Sequence, residues 1–200
     1  MTRDIVYALS VLGVVGQVLI VLGLIVVVLA FAGVRGPLAW IRNLLWGYEL
    51  WGAFVVAAIA TGGSLFYSQV AHFTPCEFCW LQRICMYPLS IFTLLIALRG
   101  DNRAARYLLP LPIVGAGVSI YHMLIQYGAI TEPKGCFVGV LGGCGVNWIS
   151  NHPDASFGYL SIPTLALTAF LLLIGFLVLA SLEEDEPAVS PATLPAHAER

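Results

Sequence analysis

"HFTPCEFCWLQRICMYPL", residues 72–89, sets two cysteines at CxxC spacing, follows them with an arginine, and then runs on as a stretch apolar enough for lipid. An arginine within an apolar helix is expensive, and a charge inside the membrane marks a functional site by default. If a helix starts near Glu77, positions 76, 79 and 83 fall on one face. A thiolate at a helix N-terminus is stabilised by the helix dipole, and a nearby cation adds to that effect. Arg83 would lie about 6 Å deeper than Cys79 at 1.5 Å of rise per residue. Cys85 stands six positions after Cys79, about 120° round the helix. It reads as a small buried apolar residue.

The rest of the chain explains the apolar run. Of 200 residues, 60% are hydrophobic and 10% charged, against about 25% charged in soluble domains. This composition is that of an integral membrane protein, and no basic cluster suggests a nucleic-acid partner. Uncharged stretches predict five spanning helices near 5–33, 48–70, 78–98, 106–127 and 158–181, each close to the roughly 20 residues a bilayer requires. The fold class expected is an all-α membrane protein, a four-helix transmembrane bundle core with one extra N-terminal transmembrane helix. Residues 1–46 hold the extra helix and a loop, 47–182 the core, and 183–200 an acidic, Pro- and Ala-rich tail without apolar periodicity, expected to be disordered.

Lys and Arg sort the loops. Arg35 and Arg42 follow the first span, and Arg99, Arg103 and Arg106 follow the third. Those loops are expected in the cytoplasm, with the tail. The CxxC and the loop at 128–157, whose basic residue is Lys134, are then expected outside, with the N-terminus. The first apolar run is about twice as long as a signal-peptide core, so it is expected to remain as a helix. Glu49 is expected at the inner interface and His72 in solvent.

Cys136 and Cys144 lie eight positions apart in "KGCFVGVLGGCGVN", with five glycines from 135 to 145. A flexible loop of this kind closes readily into a disulfide on an oxidising side of the membrane, and an exposed one is open to thiol exchange. A plain structural staple is the other reading. All four outer cysteines could also make a zinc site, and Arg83 could simply snorkel to the headgroups. His122 sits at about the depth of Arg83. It is either satisfied by a neighbouring helix or a proton carrier beside the arginine. Val146, Trp148 and Ile149 are expected along the interface, as Trp often is.

"PCEFCWLQRICMYPL" resembles the signature of the DsbB/BdbC family of bacterial membrane thiol oxidoreductases. The shared positions are Pro75, Cys76, Cys79, Gln82 and Arg83. "YHMLIQ", residues 121–126, is similar to the family's His-bearing helix. "FGYLSIPTLALTAF", residues 157–170, is similar to its last helix, with Gly158 and Pro163 in place. The resemblance covers about 48–181, and the short spacing of Cys136 and Cys144 is nearer the BdbC branch. It implies an enzyme of the bacterial cytoplasmic membrane that forms disulfides. A DsbA-like thioredoxin-fold oxidase would attack the outer-loop disulfide, with Cys136 in the mixed disulfide and Cys144 exchanging with Cys76. Cys79 would react with a membrane quinone, ubiquinone or menaquinone, and Arg83, His122 and Gln82 would contact it. A vitamin-K-epoxide-reductase-like enzyme, an outward carrier of reducing equivalents, and a metal-binding membrane protein without activity are the competing readings. The first usually carries its CxxC in the last core helix, and the second needs cysteines accessible from the cytoplasm.

Overall fold

In the computed structural model the chain is described over residues 2–133, 136, 143–149 and 158–182. Backbone groups in lipid must bond within their own segment, and the apolar stretches accordingly become helices. In chain order these are α1 (Thr2–Phe31), α2 (Gly36–Leu45), α3 (Glu49–Gln69), α4 (Glu77–Arg99), α5 (Ala105–Leu108), α6 (Pro110–Gln126) and α7 (Ile162–Leu182). Among the described residues, five helical segments are long and apolar enough to cross a membrane: α1, α3, α4, the run Asn102–Gln126 and α7. They coincide with the expected spans to within a few residues. The fourth is broken where Pro110 opens α6, because proline has no N–H to continue a helix but suits its first turn. The tail at 183–200, Lys134 and residues 150–157 lie outside the described residues.

Helix α2 was not expected. Residues 35–46 read as a basic loop, yet they form a ten-residue helix with proline in its first turn. Trp40 and Leu44 on it are exposed, an amphipathic pattern suited to lying in a membrane interface. At ten residues it is too short to be seen as a span.

Helix α3 packs against α4 and α7, and α6 packs against the same two, so four helices close a ring; α1 lies outside it, against α7. Leu50, Ala53, Leu89, Phe170, Leu173 and Leu177 fill the ring. Close approach depends on small residues. A Cβ on Gly115 of α6 would collide with the Phe170 ring of α7. Glu49, expected at an interface, opens α3 but is enclosed by protein, 2% exposed; a helix N-terminus favours a carboxylate there.

The end of the bundle that carries the cysteines is closed by aromatic rings. Phe73 stacks on Tyr67 at 5.7 Å and on Trp148 at 5.4 Å. Ile149 is buried with Val6, Tyr67 and Leu160. Of the segment expected along the interface, Ile149 is buried, while Val146 and Trp148 are half-buried. His72 is exposed, as expected, and takes a positive φ of 57° at the turn before the CxxC.

Candidate functional site

Cys76 is the N-cap of α4, and its sulfur accepts a hydrogen bond from the Cys79 backbone N–H at 3.4 Å. That places both thiols at the positive end of the helix dipole. The two sulfurs are 3.2 Å apart and not bonded. Cys136 and Cys144 form a disulfide, with Cα atoms 5.7 Å apart. The loop disulfide, expected to be exposed, is enclosed: Cys76, Cys136 and Cys144 are buried together, with Phe78 and Cys79 packed against them. Two of the four thiols that zinc would need are thus taken up by the disulfide.

His122, from α6, joins the two cysteine pairs. It is 2% exposed. Its Nε2 lies 3.0 Å from the Cys144 carbonyl and 3.6 Å from the Cys76 sulfur. A carbonyl only accepts, so Nε2 carries the proton. The same N–H faces the Cys76 sulfur. Nδ1 is buried and has no partner among the described residues.

These contacts hold the Cys76 thiol well below its ordinary range. The first cause is the hydrogen bond with Cys79, whose S–H donates to the Cys76 thiolate. Burial opposes it, and His122 adds a hydrogen bond and charge on the lowering side. A depressed pKa keeps the thiolate populated down to acidic pH and loses it only below the ordinary thiol range, near 8.5. In the reduced protein the ultraviolet absorbance of one thiolate is expected to persist through neutral pH. His122→Ala is expected to move its titration to higher pH. A wild-type titration at the free-thiol position would refute the assignment.

Arg83 does not snorkel. It is 8% exposed and turns to α3, where Nε donates to the Ser64 hydroxyl at 2.9 Å and Nη2 to the Ser64 carbonyl at 3.0 Å. Its guanidinium also lies 5.1 Å from the centre of the Trp80 ring. Neither partner is charged, so its positive charge is left for something else in the site. Gln82 is buried, and its Nε2 has no partner among the described residues. Cys85 lies on another face and packs, half-buried, against the main core.

A cavity of about 190 Å³ joins these groups. Cys76, Cys79, Gln82, Arg83, His122 and Cys144 all line it. Engineered cavities of about 150 Å³ hold a benzene ring, so the space suits one substituted six-membered ring. Much of the remaining lining is aliphatic and aromatic.

Two contributors were not expected from the sequence. Ser64 is one of several hydroxyls in α3, with Thr61, Tyr67 and Ser68, and nothing marks it out. Glu132 accepts a hydrogen bond from the Cys144 backbone N–H, and one carboxylate oxygen lies within 4.8 Å of both disulfide sulfurs. Its signal was present: apart from Lys134, it is the charged residue of the whole stretch 107–153.

Known proteins resemble this chain over the segment that carries these groups. The family model for "Disulfide bond formation protein DsbB" matches residues 48–180. "Disulfide bond formation protein C" of Bacillus subtilis is 42% identical over 139 residues, covering 68% of this chain and 95% of the relative. A "Probable disulfide formation protein" of Deinococcus radiodurans is 38% identical, covering 64% of this chain and 86% of that one. One of the same name from Coxiella burnetii is 34% identical over 146 residues, covering 73% and 96%. No solved structure matches. With its CxxC, its bridging histidine and its buried arginine all inside the matched segment, the chain belongs to the DsbB family of disulfide bond formation proteins.

Proposed function

We propose that this protein reoxidises a soluble thioredoxin-fold oxidase of DsbA type on the extracytoplasmic side of the bacterial cytoplasmic membrane and passes the electrons to a membrane quinone. The observation that carries this reading is the single imidazole of His122 held against both cysteine pairs. It supports direct exchange between the loop disulfide, enclosed here at Cys136 and Cys144, and a thiol pair set at a cavity. The arginine-bearing connections between the spans, with Arg35 and Arg42 at α2 and Arg99, Arg103 and Arg106 after α4, then face the cytoplasm.

A thiolate of the reduced oxidase attacks the Cys136 sulfur, the Cys136–Cys144 bond breaks, and Cys144 leaves as a thiolate. Cys144 attacks the Cys76 sulfur of a Cys76–Cys79 disulfide and releases Cys79 as a thiolate on the Arg83 side. The second thiol of the oxidase resolves its mixed disulfide with Cys136, and the oxidase leaves oxidised. Freed Cys136 attacks Cys144, re-forms the loop disulfide and releases Cys76. Two electrons and two protons now reside on Cys76 and Cys79. This corresponds to the pairing observed, with Cys136 bonded to Cys144 and Cys76 beside Cys79. His122, Cys79 and the helix dipole stabilise the Cys76 thiolate as it leaves.

The residues lining the cavity fit a quinone ring. Its carbonyl oxygens are acceptors; Gln82 Nε2 is a donor without a partner among the described residues, and Arg83 is a cation whose contacts there, Ser64 and Trp80, are neutral. Gln82, Arg83 and His122 would hold the ring. A bound ubiquinone or menaquinone supplies the terminal acceptor for two electrons and two protons. Arg83 presents a fixed cation where negative charge develops, on the Cys79 sulfur and on the acceptor oxygen.

Mixing the purified protein with a reduced DsbA-type oxidase and a quinone tests the reading. Quinone absorbance should fall in proportion to the oxidase disulfide formed, and no change in quinone would refute it. A second reading rests on the ligand atoms of Cys76, Cys79 and His122, all within 4.8 Å of one another. It predicts stoichiometric zinc in the purified protein in place of two disulfides per chain after full oxidation.

Glu132 holds the Cys144 backbone from one side as His122 does from the other. Glu132→Ala leaves that N–H unpaired, at a cost of about 1–3 kcal/mol. It is expected to slow loop exchange about tenfold, measured by rapid acid quench and thiol labelling of Cys136. Glu132→Gln keeps an acceptor oxygen and should recover most of the rate.

A further inference from the structure

The segment matched to the family begins at residue 48, so α1 lies outside it. Its placement is uneven. Val6 and Ser10 near its start are buried, whereas Leu22, Leu24 and Val28 are exposed. The half of α1 nearest the cysteines is fastened to α7. A Cβ on Gly13 would collide with Leu165, and one on Gly16 would lie 2.8 Å from Thr168. Gln17 accepts from the Tyr159 hydroxyl at 2.9 Å and donates to the Thr168 hydroxyl at 3.5 Å. This seam is closed.

The other side of α1 is different. Leu9, Leu12 and Gly13 line the same cavity as Cys79 and Arg83. A Cβ on Gly63 of α3 would meet Leu9 at 3.4 Å, but contacts between α1 and α3 are otherwise sparse. Leu12 of α1 and Ile59 of α3 both line the cavity, yet they are 49% and 41% exposed. A residue that lines a cavity while half exposed stands at its mouth. The cavity therefore opens sideways, between α1 and α3, at the level of the bundle where its surroundings are apolar.

We propose that α1 is the membrane-facing wall of the quinone cavity, with Leu9 and Leu12 in contact with the bound quinone and the α1–α3 seam its way in from the bilayer. This rests on the quinone reading above. The extra helix then has a chemical role. Four core helices hold the redox groups, and α1 sets access and affinity for a lipid-soluble ring with an apolar tail. A ligand that reaches Cys79 from water would have no need of such a wall.

The test uses the full chain in lipid vesicles and a benzoquinone carrying a photoreactive group on a short apolar tail. Illumination should label residues 9–12 of α1 or Ile59 of α3, a readout independent of turnover. Leu12→Trp, which narrows the mouth, should raise the KM for quinone about tenfold. Single-turnover exchange between the oxidase and the Cys136–Cys144 disulfide should stay unchanged. Leu12→Ala, which cannot obstruct insertion, should lower the labelling yield on α1. Val28→Trp, at a more exposed position far along α1, should leave KM unaltered. Label confined to α4, α6 and α7, with KM in Leu12→Trp within twofold of wild type, would overturn the wall while leaving quinone reduction standing. A wild-type protein that reduces and binds no quinone would overturn both.

Discussion

Cys79→Ser is expected to lower quinone reduction by more than about 10³-fold, as loss of a reacting group does in other multi-residue machinery, and to trap a Cys76–Cys144 disulfide. Position decides this outcome. The hydrogen bond with Cys79, and after it His122, lower the Cys76 thiol in the wild type; in the variant His122 and the N-cap position remain, and Cys76 is still buried with the loop disulfide. With no second thiol 3.2 Å away, it attacks Cys144 and frees Cys136; the return attack of Cys136 on Cys144 is the way back inside the site, and alkylation of Cys136 closes it. Non-reducing peptide mapping should show residues 76 and 144 linked, with Cys136 open to alkylation. Cys85→Ala, on another face and packed in the core, should keep wild-type turnover. Retained quinone reduction in Cys79→Ser, or its loss in Cys85→Ala with activity kept in Cys136→Ala, would sink the electron path.

Arg83→Met carries the second large effect. Removing one preorganised charge or donor from a developing anion costs about 10²–10³-fold, so kcat/KM for quinone should fall by about 10². Stability should not fall in parallel. Arg83 is a buried cation whose partners, Ser64 and Trp80, are neutral, and burying an uncompensated charge opposes folding. An apolar side chain of similar length relieves that cost, so thermal unfolding is expected at or above the wild-type midpoint. Arg83→Lys should recover only part of the rate, because an ammonium cannot make both contacts of the guanidinium fork with Ser64. An unchanged apparent quinone affinity in Arg83→Met would remove the arginine from the site. A large loss of stability would make it a structural residue.

The spans were legible because hydrophobicity over 20 residues is a local property with a strong physical penalty behind it. The CxxC at a helix start, with Arg83 one turn on and Cys85 turned away, followed from helical periodicity alone. The pairing partner of Arg83 did not. Ser64 is a helix away, and nothing about one serine in an apolar run distinguishes it from others. Helix α2 was missed because ten amphipathic residues between two spans look like a charged loop. Val146, Trp148 and Ile149 were expected at an interface on their composition, and the long-range stacking of Trp148 on Phe73 was not legible there.

What the sequence determined by itself was which segments enter lipid, where the thiols sit along the helices, and the family to which the chain is matched. These depend on neighbours a few residues apart. What only the tertiary structure decided was which groups meet. His122 of α6 bridges Cys76 of α4 and Cys144 of the loop, Arg83 leans on α3, and α1 walls a cavity that the core leaves open. Such meetings are set by how helices pack side by side, through close contacts at Gly13, Gly16 and Gly115, and no local pattern carries that information.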